Sequence, residues 1–134
     1  MLHSVTLRDH MLPHPATVHC NAPLSEAMDV ITENRISGLC VIDDAGNLVG
    51  ILSELDCLQA ILDAVYNQSA VGRVSDYMVS DNLVVAHPDE DIVDVARDML
   101  KDKRRRRPVV ENGRLVGQIT CRRLLGAVRE FQQG

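Results

Sequence analysis

Apolar positions in the first half of the chain recur at helical spacing in two places. The first series places them at i, i+3, i+4 and i+7 (Leu24, Ala27, Met28 and Ile31). The second follows Ser53 and comprises Leu55, Leu58, Ile61, Leu62 and Val65. Each series predicts an amphipathic helix with one buried face. Pro23 suits the first turn of the first helix, because its missing N–H would be unpaired there anyway.

Between these helices the pattern changes to that of short strands. Residues 39–42 form a continuous apolar run that predicts a buried strand, and residues 48–52 predict the strand that returns from it. Residues 43–47 contain the Asp and Gly residues of a turn. A further strand is predicted at residues 16–19, before the first helix. The first half therefore has the order β-α-β-β-α.

The second half repeats this order. Residues 83–86 predict a strand, and a helix face follows at Ile92, Val95, Ala96 and Met99. Asn112-Gly113 between apolar runs is a strong hairpin signal, because both residues tolerate a positive φ. The segment 48–56 (LVGILSELD) returns as 115–123 (LVGQITCRR). Two such halves, each too small to bury much surface alone, are expected to form one pseudo-symmetric body.

Composition and charge limit the classes of function. The chain of 134 residues has a net charge of −5, although residues 101–107 form a dense basic run. With Tyr66, Tyr77 and Phe131 as the only aromatic residues, there is no stacking platform for single-stranded nucleic acid. The basic run instead suits a small anion, and the alternative is that it is a solvated edge. Nucleic acid binding would require strongly salt-dependent affinity and is disfavoured.

Other sequence signals indicate an intracellular protein without a metal. No apolar run approaches the roughly 20 residues of a membrane span, and the N-terminus does not resemble a signal peptide. The four cysteines are scattered, which disfavours disulfides and zinc and fits a reducing, cytoplasmic location. His10 and His14 are four residues apart, but Pro13 and Pro15 disrupt the helix that a metal pair would need.

The duplicated β-α-β-β-α order, with a small apolar hairpin that LVGILSxxD closes in the first copy, resembles the CBS domain, named after cystathionine β-synthase. Two copies in tandem resemble a CBS pair, or Bateman module. The resemblance implies an α/β (α+β) fold in which a tandem pseudo-two-fold repeat of β-α-β-β-α CBS units packs through its sheets. The repeats are expected at residues 4–66 and 74–130, with a linker at 67–73. The family commonly binds AMP, ADP, ATP or S-adenosylmethionine between the copies, and regulates other proteins without catalysing a reaction.

By this resemblance, the first copy contains a complete set of ligand residues. Gly50, Ser53 and Asp56 match the family motif, in which the hydroxyl lies near the phosphate and the carboxylate accepts the ribose hydroxyls. The adenine is expected near Thr17 and Val18. Ser53 at a helix start favours an anion on physical grounds too. The same Ser-x-x-Asp pattern is also that of a helix capping box, and the two roles can coexist.

The second copy departs from the motif. It keeps Gly117 and Thr120 but has Arg123 in place of Asp56. A guanidinium has no acceptor for ribose hydroxyls, so this site is expected to hold a phosphate-rich ligand or none, or Arg123 is simply a solvated helix residue. The resemblance also implies that a basic residue before the second hairpin, Arg106 with Arg105 nearby, reaches toward the phosphate held by the first copy. We therefore expect one dominant nucleotide site.

Two functional hypotheses follow. The first is a regulatory sensor with no catalytic residues, no obligatory cofactor and an adenine-containing ligand. The second is a ligand-free interaction module that dimerises through helix faces and docks on a partner protein. Both include a homodimer, and neither the regulated partner, the ligand nor the orientation of the dimer follows from the sequence.

Overall fold

The computed structural model describes residues 4–133, which divide into two compact units. The first unit is Ala16–Leu83, and the second joins the chain up to Pro15 with the chain from Val84 onward. After a 3-10 turn (Leu7–Asp9), the described strands and helices are β1 (Leu12–Pro13), β2 (Thr17–His19), α1 (Leu24–Asn34), β3 (Gly38–Ile42), β4 (Leu48–Ser53), α2 (Glu54–Asn67), α3 (Val74–Tyr77), α4 (Ile92–Asp102), β5 (Arg106–Glu111), β6 (Arg114–Thr120) and α5 (Cys121–Gln133).

The first unit is a three-stranded mixed sheet covered by helices. Strand β3 is central, with β2 parallel on one side and β4 antiparallel on the other. An antiparallel bridge between Ile51 and Val79 adds one more position beyond β4. The core comprises residues of the sheet and the inner faces of α1 and α2, with Leu24, Val41 and Leu52 fully buried. These elements confirm the pattern predicted for the first half.

The second unit has the same plan built around the β5–β6 hairpin. Strand β1 pairs antiparallel with β6, so the N-terminal segment extends the sheet of the second repeat. Leu7 from this segment lies fully buried in the core with Ile92, Val95 and Ile119. The chain up to Pro15 therefore belongs to the unit of the second repeat and not to the unit of the first.

The prediction of a strand at residues 83–86 was wrong in extent. This segment forms a single parallel bridge, in which the N–H of Ala86 donates to the carbonyl of Pro108 (2.9 Å) and its carbonyl accepts the N–H of Val110 (2.8 Å). Extending this ladder toward Val84 would need an N–H donor at Pro108, and proline has none. The equivalent residue in the first repeat, Cys40, is not a proline, and β2 there pairs over three residues.

Candidate functional site

The predicted ligand residues Ser53 and Asp56 lie together at the start of α2. Ser53 is the N-cap residue, and its hydroxyl accepts the N–H of Asp56 (3.1 Å). In return, Oδ2 of Asp56 accepts the N–H of Ser53 (2.9 Å). This is a reciprocal capping box, so one of the two readings of Ser-x-x-Asp is confirmed. The box uses a single oxygen of Asp56, and a carboxylate has about four lone-pair sites in all.

Gly50 lies three residues before Ser53, buried in β4. A Cβ atom built at this position would lie 2.6 Å from Sδ of Met78 and 3.1 Å from the carbonyl oxygen of Val79. The absence of a side chain lets the segment after the first repeat pack on the strand. This packing explains the glycine of the motif without a ligand.

Thr17 and Val18, where adenine was expected, lie on β2 at the edge of the first unit's sheet. Val18 is only 3% exposed and belongs to the core, whereas Thr17 is half-buried. A ligand at this edge would therefore meet the side chain of Thr17 and the backbone of Val18.

The corresponding site of the second unit contains Thr120 and Arg123. The hydroxyl of Thr120 accepts the N–H of Arg123 (3.2 Å), which repeats half of the capping box. The guanidinium instead reaches back to the N-terminal segment. Nε donates to the carbonyl of His10 (2.9 Å), and Nη2 lies 3.5 Å from the carbonyl of Met11. Arg123 therefore holds the N-terminal segment through the carbonyls of His10 and Met11 and is not simply a solvated residue. We call this contact the latch.

The basic run has more than one structural role. Lys103, Arg104 and Arg105 line an open groove of about 590 Å³ between α4 and α5. Arg106 begins β5, directly opposite Thr120 across the β5–β6 ladder. The run is thus not uniformly a solvated edge, because its last member, Arg107, is 97% buried (relative exposure 3%).

Buried Arg107 is neutralised by two acidic residues of α4. Its Nη2 lies 2.8 Å from Oδ2 of Asp102, and its Nη1 lies 3.9 Å from Oδ2 of Asp98. Its Nε is buried with no hydrogen-bond partner among the described residues. Sequence reasoning missed this ion pair, although the match of Arg107 to Leu39 in the apolar strand of the first repeat indicated a buried position.

A second cluster was also missed, because its members are far apart in the sequence. Ligand-type atoms of His87, Asp89 and Glu111 lie within 4.8 Å of one another. Arg8 bonds both carboxylates, at 3.2 Å to Asp89 and 3.1 Å to Glu111. These bonds raise the pKa of the Arg8 guanidinium above its ordinary value, the bond to Asp89 contributing most. Both carboxylates thus already share an arginine as their partner.

Comparison with known proteins agrees with this architecture. An uncharacterized protein of Methanocaldococcus jannaschii, MJ1225, is 34% identical over 85% of this chain, which spans 39% of that protein. Inosine-5'-monophosphate dehydrogenase of Aquifex aeolicus is 32% identical over 84% of the chain, which spans 22% of the enzyme. The chain thus spans well under half the length of these relatives.

Solved structures match over nearly the whole chain. The structure of CBSX2 in complex with AMP has a TM-score of 0.83 and 30% identity, and covers 96% of this chain and 99% of that one. The CBS domain pair of MJ0100, in complex with 5'-methylthioadenosine and S-adenosyl-L-methionine, has a TM-score of 0.74 and 28% identity, with 96% of each chain covered.

None of the helices within residues 4–133 has the length and apolar character needed to cross a bilayer. The CBS domain profile matches the sequence twice, at residues 7–63 and 74–130. The chain therefore belongs to the CBS domain family, and its two repeats form a CBS pair.

Proposed function

We propose that this chain is a non-catalytic regulatory module that binds an adenine-containing ligand, either a nucleotide (AMP, ADP or ATP) or S-adenosylmethionine. The observation that carries the proposal is the pair Ser53 and Asp56 at the start of a 14-residue helix. Free N–H groups and the helix dipole favour a phosphate or carboxylate at such a start. The AMP-bound and S-adenosylmethionine-bound relatives support the ligand class.

In this proposal Asp56 accepts the ribose hydroxyls while it keeps its capping bond. Oδ2 receives the N–H of Ser53, and the remaining lone pairs of the carboxylate are available to a cis-diol. Thr17 and the backbone of Val18 would meet the adenine, and Gly50 would support the site through its packing on Met78. Capping and binding are compatible because they use different lone pairs.

The second repeat supports the proposal of one dominant site. Arg123 stands where the first repeat has Asp56, offers only donors, and is already bonded to a carbonyl of the N-terminal segment. Thr120 would remain for an anion, with Arg106 opposite it on β5. That Arg106, with Arg105, also serves the ligand of Asp56 stays a prediction from the family.

We further propose that the module acts as a homodimer in the cytoplasm and regulates a partner protein. The short match to inosine-5'-monophosphate dehydrogenase, 22% of that enzyme, supports a regulatory rather than a catalytic role for this region. Ligand would shift the module between states according to its differential affinity for them.

The test is thermal unfolding with adenosine, AMP, ADP, ATP or S-adenosylmethionine. A true ligand at 100 times its Kd should stabilise the protein by about 2.7 kcal/mol, a shift of several degrees. The shift should disappear in Asp56→Ala. Asp76→Ala is the matched control, because Asp76 also accepts an N-cap N–H (Arg73, 2.9 Å) at the start of α3 but is not a predicted ligand residue.

Titration calorimetry on the wild type and Arg106→Gln completes the test. One site per chain is expected, and Arg106→Gln should weaken AMP more than adenosine if the arginine meets the phosphate. Two equal sites would contradict the single-site proposal.

The alternative is a ligand-free interaction module, favoured by the exposed apolar residues of α2. Leu55 is 75% exposed and Val65 is 69% exposed, which is unusual for large apolar side chains on one helix. If no ligand shifts the unfolding temperature, this alternative replaces the sensor.

A further inference from the structure

The outer face of α2 carries a continuous apolar stripe that is exposed. The stripe consists of Leu55, Leu58, Leu62 and Val65, each at least half exposed, at spacings of three, four and three residues. This 3-4-3 spacing keeps the side chains on one side of a helix, as in the seam of a coiled coil. The inner positions Cys57 and Ala60 already fill the core, so the stripe is additional to it.

The second repeat has the larger groove between its two helices, about 590 Å³ against about 250 Å³ between α1 and α2 of the first repeat. The groove between α4 and α5 is lined by Met99, Leu100, Leu124, Leu125 and Val128, and has Lys103, Arg104 and Arg105 beside it. At the α5 positions that correspond to Leu55 and Leu62, the sequence has Arg122 and Arg129. A helix with an apolar stripe is the complement of such an apolar groove.

The charges around the two surfaces are opposite. Helices α1 and α2 carry six acidic residues and no basic residue: Glu26, Asp29, Glu33, Glu54, Asp56 and Asp63. The acidic residues of α4 are largely compensated, since Asp98 and Asp102 pair with Arg107, and Asp94 pairs with Arg97. The groove therefore presents a basic margin, whereas the stripe presents an acidic one.

We propose that the stripe on α2 of one copy docks in the α4–α5 groove of a second copy, so that unlike faces meet in the dimer. Stripe against stripe would oppose acidic margins, and groove against groove would oppose Lys103, Arg104 and Arg105 with themselves. Like charges across an interface are unfavourable and complementary charges set the orientation of a complex. This inference rests on the homodimer of the proposed function and specifies its orientation.

Neutralising the groove margin gives a result whose sign depends on the orientation. The double variant Lys103→Gln/Arg104→Gln should weaken dimerisation about 3- to 10-fold, as expected for two exposed charge pairs, when measured by sedimentation. Pairing of like faces predicts the reverse, because repulsion would be relieved. Lys101→Gln, an exposed lysine of α4 that does not line the groove, is the control and should have little effect.

Cysteine cross-linking tests the contact directly. Cys121 is exposed in the groove, and Leu58→Cys places a thiol on the stripe. Mild oxidation should give intermolecular disulfides between positions 58 and 121, identified by mass spectrometry of the peptides. Links of 58 to 58 or 121 to 121 would overturn the orientation but leave the homodimer intact.

A monomer at every concentration would overturn both the orientation and the homodimer. Loss of ligand binding is read separately, from the unfolding shifts of the dimer. A monomer whose groove instead binds an acidic amphipathic peptide would likewise overturn the proposal, because the occupant would not be a second copy.

Discussion

The two repeats share a backbone plan but differ at three equivalent positions of known consequence. Where the first repeat has Leu39, Cys40 and Asp56, the second has Arg107, Pro108 and Arg123. Each difference has a local structural effect: a buried ion pair, a shortened parallel ladder and a latched N-terminal segment. The same backbone plan therefore accommodates an arginine in place of an apolar or acidic residue, because each arginine has an ion-pair or hydrogen-bond partner within its own unit.

The pair Asp56 and Arg123 is the most informative of these differences. Both residues follow the helix N-cap by three positions, and both backbone N–H groups donate to the N-cap hydroxyl. Only Asp56 returns the bond to the N-cap N–H, because only a carboxylate is an acceptor. The second repeat lacks this acceptor, and its Arg123 instead contacts the backbone carbonyls of residues 10 and 11.

The largest expected effect concerns Arg107 and its partner. Asp102→Ala should destabilise the protein by about 2–3 kcal/mol, because it leaves a buried cation with only Asp98 at 3.9 Å. The value lies below the roughly 3–5 kcal/mol of a fully buried pair, since the side chain of Asp102 is 38% exposed. Arg107→Leu copies Leu39 of the first repeat. Its free energy of unfolding should lie no more than about 1 kcal/mol below that of the wild type, or above it. Urea unfolding measures both.

The double variant Asp102→Ala/Arg107→Leu is the control. Without the buried cation, the loss of Asp102 should cost less than about 0.5 kcal/mol. If Asp102→Ala is equally harmful in both backgrounds, the ion pair is not the cause.

The next-largest effect concerns Gly50 and Gly117, which occupy equivalent positions in the two repeats. A Cβ at Gly117 would lie 2.9 Å from the backbone oxygen of Leu12, whereas a Cβ at Gly50 would lie 3.1 Å from that of Val79. Both would also meet a methionine sulfur at 2.6 Å, but that side chain can move. Gly117→Ala should therefore cost about 2 kcal/mol and Gly50→Ala about 1 kcal/mol by overpacking. Equal unfolding midpoints for the two variants would contradict this ordering.

Most of the fold was predictable because its periodic signals are strong. The helix that contains Leu24 to Ile31 was confirmed, and so was the hairpin with its turn at Asn112–Gly113. The strand predicted at 83–86 failed, because the limit comes from Pro108 on a different strand. A local pattern does not reveal the hydrogen-bonding capacity of a distant partner.

The candidate site was predictable only in part, for a similar reason. The local pair of Ser53 and Asp56 follows from sequence spacing, and the structure confirms their contact. The role of Arg123 depends on residues 10 and 11, more than 110 positions away, and no periodicity connects them. The cluster of His87, Asp89 and Glu111 likewise forms only when the second unit has folded.

The third prediction tests the latch formed by Arg123. Arg123→Ala should cost about 1 kcal/mol, because it removes the hydrogen bond to the carbonyl of His10 and the weaker contact to Met11. Amide exchange should speed up at Leu12, the β1 residue that has an N–H, and at Met11, whose N–H donates to the carbonyl of Leu7 (2.9 Å). Arg122→Ala changes the exposed neighbour and should stay within about 0.5 kcal/mol. Unchanged exchange in β1 would show that the contact carries no stability.

The smallest expected effect distinguishes the two hairpin turns by their response to acid. In the turn of the first repeat, the carboxylate of Asp43 accepts the N–H of Asn47 (2.9 Å) and of Ala45 (3.0 Å). These bonds, the one from the Asn47 backbone first, lower the pKa of Asp43 below its ordinary value. The turn of the second repeat uses positive φ angles at Asn112 and Gly113, with no carboxylate in the turn.

A lowered folded-state pKa stabilises the protein above the unfolded-state pKa, and that stability is lost as the pH falls through the folded-state value. Asp43→Asn should therefore unfold at a lower temperature than wild type near neutral pH, and the difference should shrink between about pH 5 and pH 2. Unfolding temperatures measured for both proteins across this range test the prediction, because other acidic groups cancel in the difference. A constant difference at every pH would mean that the Asp43 carboxylate holds the turn no better when charged than when neutral.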